Sequence, residues 1–249
     1  MYDWPQGYGR RVLATVDSTN AEAARIAPDL TGPEWILALQ QTAGRGRRGR
    51  PWTDPKGNFS ATLVMRPAET PDQIALRSFV ASLALYEAVS AATGRSDLLS
   101  LKWPNDVLLS GGKLAGILLE SAGGAGGVSH IAIGIGVNLA TAPQAGQVEP
   151  GALRPVSVFG ETGIRIPPED FLTLLAAAYA RLETQFRTYG FAPIRQAWLS
   201  HAARLGEVIT ARTMRQETTG TFETVDETGN IVLSTPKGRE VIPAAEIFF

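Results

Sequence analysis

"EWILALQQTAGRGRRGRPWTDPKGNFSATLVM", residues 34–65, sets two short apolar runs on either side of four arginines held within six positions. The outer runs, EWILALQQ and FSATLVM, have the length and composition of β-strands. Tethered at both ends, the arginine stretch is a connection between strands rather than a tail. Guanidinium groups grip phosphate and carboxylate through paired N–H donors, and the interleaved glycines let backbone amides approach the same anion. The composition suits a nucleotide phosphate, yet it is neither the Walker loop nor the dinucleotide fingerprint, so the common kinase, ATPase and Rossmann folds lack their motif. The competing reading is a basic segment lying along nucleic acid. The strand flanks weigh against it, as does the balance of 23 Lys and Arg against 24 Asp and Glu, a net charge of -1 that gives no general pull towards a polyanion.

Outward from this stretch, helices and strands mix. VDSTNAEAARIA, residues 16–27, reads as a strand end turning into a helix, with Thr19 and Glu22 spaced as a capping box. From Gln73 to Ala92 the apolar positions Ile74, Leu76, Phe79, Val80, Leu83 and Val89 recur at helical spacing, and the helix ends before Gly94. LLSLKW and DVLLSGGKLAGILLES follow, the second broken by a Ser-Gly-Gly hairpin turn. VSHIAIGIGVNLA alternates glycine with branched residues, as a strand does when another backbone or a ligand comes close. AGGAGG at 122–127 reads as a hairpin tip. A long helix begins after Pro167-Pro168, carries Phe171, Leu174, Leu175, Ala178, Leu182 and Phe186 on one face, and stops at Gly190. After a helical connector, FAPIRQAWLSHAA, the chain changes to short strands between turn clusters, a small all-β module with its boundary near His201 to Leu205.

At 249 residues the chain has room for two domains. Cysteine is absent, which removes disulfides, thiol nucleophiles and thiolate metal sites and fits a reducing compartment. The first residues show no signal pattern and no apolar run reaches the roughly 18 residues that span a bilayer, so a cytoplasmic protein without membrane contact is expected.

A second stretch that carries chemistry is LKWPNDVLLSGGKLAGILLE, residues 101–120, with Asn105 and Asp106 about a hairpin's length from Lys113. Oxygen ligands beside phosphates suit Mg2+, which takes one or two carboxylates and keeps waters. A lysine there can neutralise a carboxylate and a phosphate that would otherwise repel each other. Taken singly, the pair is equally an ordinary turn and Lys113 a solvent-facing hairpin residue.

Five motifs together, DSTN at 17–20, GRGRRGRPW at 44–52, KWPND at 102–106, KLAGIL at 113–118 and GIGVN at 134–138, resemble the biotin protein ligases in family order. The resemblance implies an α+β protein: a mixed-sheet catalytic domain, residues 1–203, followed by a small SH3-like all-β domain, residues 204–249. It implies activation of biotin by ATP to biotinyl-5'-AMP, then transfer to a lysine of a carboxylase's biotin carboxyl carrier domain. By the same resemblance Ser18, Thr19, Asn20, Gln41, Gly44, Arg45, Arg47, Lys113 and Gly116 hold biotin. Arg45, Arg47, Trp52, Asn105, Lys113 and Asn138 hold the nucleotide, Asn105 and Asp106 meet Mg2+, and Lys113, Arg45 and Asp106 act in catalysis. The arginine loop is expected to order over the intermediate, with Trp52 either on the purine face or in the core.

Pro51 departs from the lysine frequent at that place in the family and stiffens the loop end. A homodimer is implied too. The sixteen residues before DSTN are too few for the N-terminal helix-turn-helix of some family members, so no specific DNA binding is expected. A lipoate–protein ligase, which shares fold and adenylation logic, is the runner-up, and a nucleic-acid-binding module stands behind it.

Overall fold

The computed structural model describes residues 3–53, 55–124, 127–144, 153–213 and 215–249. Of the expected AGGAGG hairpin tip, residues 125 and 126 lie outside the described residues. Seven strands form one sheet: β1 (Gly9–Leu13), β2 (Glu34–Ala38), β3 (Phe59–Met65), β4 (Leu99–Lys102), β5 (Asp106–Leu109), β6 (Gly112–Gly124) and β7 (Gly127–Val137). Their order is β1-β2-β3-β7-β6-β5-β4, with β1 parallel to β2 and the other neighbours antiparallel. The two runs flanking the arginines are therefore adjacent antiparallel strands, β2 and β3, and the expected Ser-Gly-Gly turn joins β5 to β6.

Period-two alternation explains how β3 serves two faces at once. Phe59, Ala61, Leu63 and Met65 enter the main core, packed under helices α3 (Arg77–Thr93), α5 (Pro168–Tyr189) and α6 (Phe191–Leu199). The alternate residues Ser60, Thr62 and Val64 point to the opposite face, where helix α1 (Thr19–Ile26) lies. All seven β3 residues are buried. Two polar side chains are thus embedded in an otherwise apolar strand, on the face that α1 covers.

The helices follow their expected limits with two corrections. Gly94 closes α3 in the left-handed region at φ 68, and α5 runs from Pro168 to a stop at Gly190. The helix expected from Gln73 is split into α2 (Pro71–Ala75) and α3, and α2 carries a capping box of Thr70 and Gln73. The box expected at Thr19 and Glu22 does not form: Ser18 is the residue before the helix, and the Thr19 hydroxyl turns to Gln41 and Thr62. Tertiary partners outcompete the cap. A further short helix, α4 (Val158–Thr162), follows the sheet.

The helical stretch Pro71–Thr93 is long and apolar enough, by length and composition alone, to cross a membrane, though Asp72, Arg77 and Glu87 interrupt its apolar residues. It is the core helix here, 72% buried within the fold.

Residues 201–203 zip onto β4, Leu101 donating to His201 O and Ala203 N donating to Leu101 O, both at 2.8 Å. Beyond them β8 (Val208–Arg212), β9 (Glu217–Val225), β10 (Ile231–Thr235), β11 (Gly238–Ile242) and β12 (Glu246–Phe248) make an antiparallel sheet in the order β11-β10-β9-β8-β12. This is the all-β module expected from the turn clusters.

Between α3 and α5 the core holds an ion pair. Arg77, 1% exposed, donates to Glu183 at 2.7 Å and to Glu69 at 2.8 Å, and the Tyr179 hydroxyl adds a 3.4 Å contact to Glu183. Burial raises the Glu183 pKa, against the pull of the Arg77 guanidinium. Removing one partner leaves the other charged and buried, at about 3–5 kcal/mol. Glu183→Ala is expected to lower stability by that amount in urea unfolding; a loss below about 1 kcal/mol would contradict a locked pair.

Candidate active site

The arginine stretch folds as a miniature hairpin. Trp52 N donates to Gly44 O at 2.9 Å and Gly46 N donates to Arg50 O at 2.7 Å, around a tight turn at Arg47–Gly49. Gly49 accepts φ 71 without cost, but Arg48 at φ 57 lies in the left-handed region, which costs a non-glycine residue roughly 1–2 kcal/mol. Its guanidinium reaches Glu246 of β12 at 3.2 Å, and Arg50 reaches the same carboxylate at 3.1 Å. The all-β module therefore holds the tip of the hairpin. Arg47 donates to Asn105 Oδ1 at 3.1 Å, and Arg45 lies 3.4 Å from Glu120.

Lys113 enters from β6. Its backbone is pinned on the side away from the hairpin: Lys113 N donates to Arg154 O at 2.8 Å and Val156 N donates to Lys113 O at 3.0 Å. A Cβ at the preceding Gly112 would stand 2.4 Å from Val156 Cγ1, so this close approach needs glycine. The Lys113 ammonium pairs with Asp106 at 2.9 Å, from the facing strand β5.

At the other end of the site lies a polar network between α1 and the sheet. Gln41 Oε1 accepts from Thr19 N at 2.8 Å and lies 3.2 Å from the Thr19 hydroxyl. Thr62 lies 2.8 Å from that hydroxyl and 2.6 Å from Asn20 Oδ1, while Asn20 Nδ2 donates to Glu120 at 2.8 Å. The Oγ of Ser60, on the same face of β3, is buried without a hydrogen-bond partner, a costly state unless a bound group completes it.

The glycine alternation in β7 has a physical account. A Cβ at Gly134 would stand 2.4 Å from Asn20 Oδ1, and one at Gly136 would stand 2.4 Å from Trp52 Cε2. Gly116, the register partner of Gly136, would place its Cβ 3.6 Å from the same indole. The glycines leave room for two side chains, where the alternation by itself pointed to a backbone or a ligand. Trp52 lies across the sheet rather than in the core.

One cavity of about 390 Å³ joins these parts, with Thr19 and Gln41 at one end and the arginine hairpin, Asp106 and Lys113 at the other. Among the expected residues only Gly44 does not line it; Gly44 forms the base of the hairpin, where a Cβ would meet Trp52 O at 2.9 Å. Asn138 does line it, but its amide donates to Val156 O at 3.0 Å and so braces the segment that pins Lys113. Ser18 is buried at the start of α1.

Charge in the cavity is lopsided: Arg45, Arg47, Arg48, Arg50, Lys102 and Lys113 face Asp106 and Glu246. Burial lowers the pKa of both Arg47 and Lys102, although Asp106 opposes the shift in each case. Such a site is built for an anion with several charges. Sequence reasoning passed over Lys102, Ser60, Thr62 and Glu246. The two polar positions inside the apolar β3 run were the visible signal for Ser60 and Thr62, whereas Glu246 arrives from a distant module and leaves no local trace.

Among the described residues no group of three or more His, Cys, Asp or Glu side chains forms a metal cage. Asp106 Oδ1 is buried and makes no hydrogen bond, its ionic contact with Lys113 aside, and Asn105 Oδ1 already accepts from Arg47. One carboxylate and one amide oxygen fit a Mg2+ that arrives with phosphate and water ligands, and do not make a preformed site.

Residues 11–138 match the model of the biotin/lipoate A/B protein ligase family, and residues 205–249 match the biotin protein ligase C terminal domain. The chain is 60% identical to the biotin–[acetyl-CoA-carboxylase] ligase of Paracoccus denitrificans, over 96% of this chain and 99% of that protein. It is 30% identical to the bifunctional ligase/repressor BirA of Bacillus subtilis, over 95% of this chain and 71% of that one. Among solved structures, the biotin protein ligase of Aquifex aeolicus in complex with biotin and ATP superposes with a TM-score of 0.79 at 25% identity, covering 96% of this chain and 97% of that one.

Proposed function

The chain belongs to the biotin protein ligase family, and on that premise we propose that it activates biotin with ATP and transfers it to a lysine of a carboxylase's biotin carboxyl carrier domain. The observation that carries the mechanism is the single cavity in which the arginine hairpin, from the β2–β3 connection, meets Lys113, from β6. Two anions can share that space only because the cations converge there.

In the first step a biotin carboxylate oxygen attacks the α-phosphorus of ATP. The bond from that phosphorus to the β-phosphate oxygen breaks, and its electron pair leaves with pyrophosphate. Arg45 and Lys113 hold the carboxylate and the α-phosphate against their mutual repulsion. The ureido ring lies among Thr19, Asn20 and Gln41, which offer donors and acceptors to a group that needs both, and Ser60 supplies a buried hydroxyl beside them. Trp52 and Asn138 border the nucleotide's base. Asn105 and Asp106 would hold Mg2+ together with the phosphates; when bound, that ion neutralises phosphate charge.

In the second step the acceptor's neutral amine attacks the acyl carbon, the acyl–oxygen bond breaks and AMP leaves, the amine losing a proton. Asp106 orients that amine. The hairpin covers the reactive anhydride and keeps water from it. We assign the catalytic work to residues 1–203 and the clamp on the hairpin tip to residues 204–249. The family's homodimer comes with this reading as a proposal, tested by sedimentation velocity. A cytoplasmic location also comes with it, and the cysteine-free composition fits that location.

Purified protein with Mg-ATP is expected to release pyrophosphate with biotin and not with lipoate. Release with lipoate alone would overturn the substrate, and release with neither would overturn the enzyme. The arginines line the cavity, and Arg45, Arg48 and Arg50 are paired with carboxylates of this chain, so a mobility-shift assay is expected to show no specific DNA complex.

A further inference from the structure

The turn between β4 and β5, residues 103–105, leads directly into Asp106. Its Asn105 end is tied to the catalytic sheet: Asn105 Nδ2 donates to Ile117 O at 2.5 Å, and Ile117 N donates to Asn105 O at 3.0 Å. Its Trp103 end is tied to the all-β module. Trp103, 4% exposed, packs in the core and donates its indole N–H to Gly229 O at 3.0 Å, across 126 positions of sequence. A hydrogen bond between the two domains thus ends three positions before Asp106.

The turn that supplies Gly229 joins β9 to β10. The Asp226 carboxylate fixes its shape by accepting from Thr228 N and Asn230 N, each at 2.9 Å, and from Asn230 Nδ2 at 3.1 Å. Gly229 stands at φ 85 against the junction of α2 and α3, where a Cβ would lie 2.9 Å from Leu76 Cδ2 and 3.0 Å from Phe79 Cε2. Gly206 of the same module has nearly the same φ, 82, yet nothing lies within 4 Å of the Cβ it would gain. A left-handed backbone accounts for both glycines, but only a tight seat accounts for the crowding at Gly229. Trp103 and Pro104 also wall the active-site cavity off from a second cavity of about 470 Å³, which Gly229 and Asn230 line. A cavity offers the loop no packing on that side, so the bond to Gly229 carries more of its placement.

Resting on the biotin–ATP reading above, we propose that Gly229, on the β9–β10 turn of the all-β module, is a positioning residue of the active site: through the Trp103 indole it holds the loop that sets Asp106 against Lys113. Gly229 itself touches no substrate. Its effect passes through Trp103 to Asp106, whose carboxylate has to keep its 2.9 Å contact with Lys113 and its aim at the acceptor amine. A misplacement of about 1 Å at a reacting centre costs up to roughly a hundredfold in rate. Biotin's ring, at the Thr19–Gln41 end of the cavity, lies away from this loop. The module therefore acts on the site at two separate points, the Glu246 clamp on the arginine hairpin and the Gly229 tie on the β4–β5 turn.

Gly229→Ala is expected to lower kcat for biotinyl-AMP formation about ten- to a hundredfold while the KM for biotin stays within about threefold. Gly206→Ala suffers a like backbone strain without the clash, so it should lose stability and keep kcat within about threefold. An equal kcat loss there would overturn the proposal, since loosening the module anywhere would then suffice. Trp103→Phe deletes the donor, keeps an aromatic ring and should lower kcat on the same scale as Gly229→Ala. In that background Gly229→Ala should cost little further kcat, because the tie is already broken. Losses that simply multiply would overturn the proposal. So would a kcat within about threefold of wild type in Trp103→Phe, the variant that decides the matter if Gly229→Ala does not fold. The Trp103 indole N–H, identified by its absence from the ¹⁵N spectrum of Trp103→Phe, should exchange with solvent faster in Gly229→Ala than in Gly206→Ala. Equal exchange beside a kcat loss would mean that the effect travels by another route, and would also overturn it. Absence of biotinyl-AMP formation by the wild-type protein would instead overturn the ligase reading beneath it.

Discussion

Lys113→Ala is expected to slow biotinyl-AMP formation by about a hundred- to a thousandfold, the cost of deleting one preorganised charge at a reacting centre. The size follows from how little freedom the residue has. Its backbone is fixed between Arg154 O and Val156 N, and its ammonium lies 2.9 Å from Asp106, so its charge is held at one place. Folding should survive. The Lys113 side chain is 37% exposed, so solvent screens its half of the pair and water can reach the Asp106 carboxylate, 14% exposed, once the lysine is gone; the loss of stability is about 1 kcal/mol. Thermal unfolding close to wild type together with the lost adenylation would establish the role; adenylation within about threefold of wild type, the scatter of a neutral site, would refute it.

The second large effect comes from the two glycines of β7, which should separate the substrates. Gly136→Ala puts a methyl group 2.4 Å from the Trp52 indole, a large planar group whose backbone is held in the hairpin. Gly134→Ala puts one 2.4 Å from Asn20 Oδ1, in the network that Thr62 and Glu120 hold. Overpacking of this kind costs about 1–3 kcal/mol, or roughly five- to 150-fold in an equilibrium. The KM for ATP should rise by such a factor in Gly136→Ala and the KM for biotin in Gly134→Ala. The crossed parameters should move much less. Steady-state kinetics on both variants checks this, and equal effects on both substrates in either variant would mean that Trp52 and Asn20 do not divide them.

Much of this arrangement was legible from residues 34–65 alone. Two strands around a basic connection gave the β2–β3 pair of the sheet, and Ser110-Gly111-Gly112 gave the β5–β6 hairpin that delivers Lys113. Gly94 and Gly190 marked helix ends because only glycine reaches those backbone angles cheaply. The Thr19–Glu22 capping box misled, since the spacing is local and the Thr19 hydroxyl has a tertiary partner in Thr62. The arginine stretch read as a connection between strands, but the cross-hairpin bonds at Gly44 and Gly46 depend on backbone geometry that composition does not reveal. Glu246 lies almost 200 positions from the arginines it clamps, so no window along the chain could pair them.

The central claim is that the converging cations bring biotin's carboxylate onto the innermost phosphorus of ATP. Biotin carrying ¹⁸O in both carboxylate oxygens, incubated with the protein, ATP and a carrier domain, tests it directly by mass spectrometry of the products. The account predicts that AMP gains a single ¹⁸O, the bridging oxygen of the broken anhydride, while pyrophosphate stays unlabelled. Label in pyrophosphate, or AMP without it although the carrier is biotinylated, would contradict it.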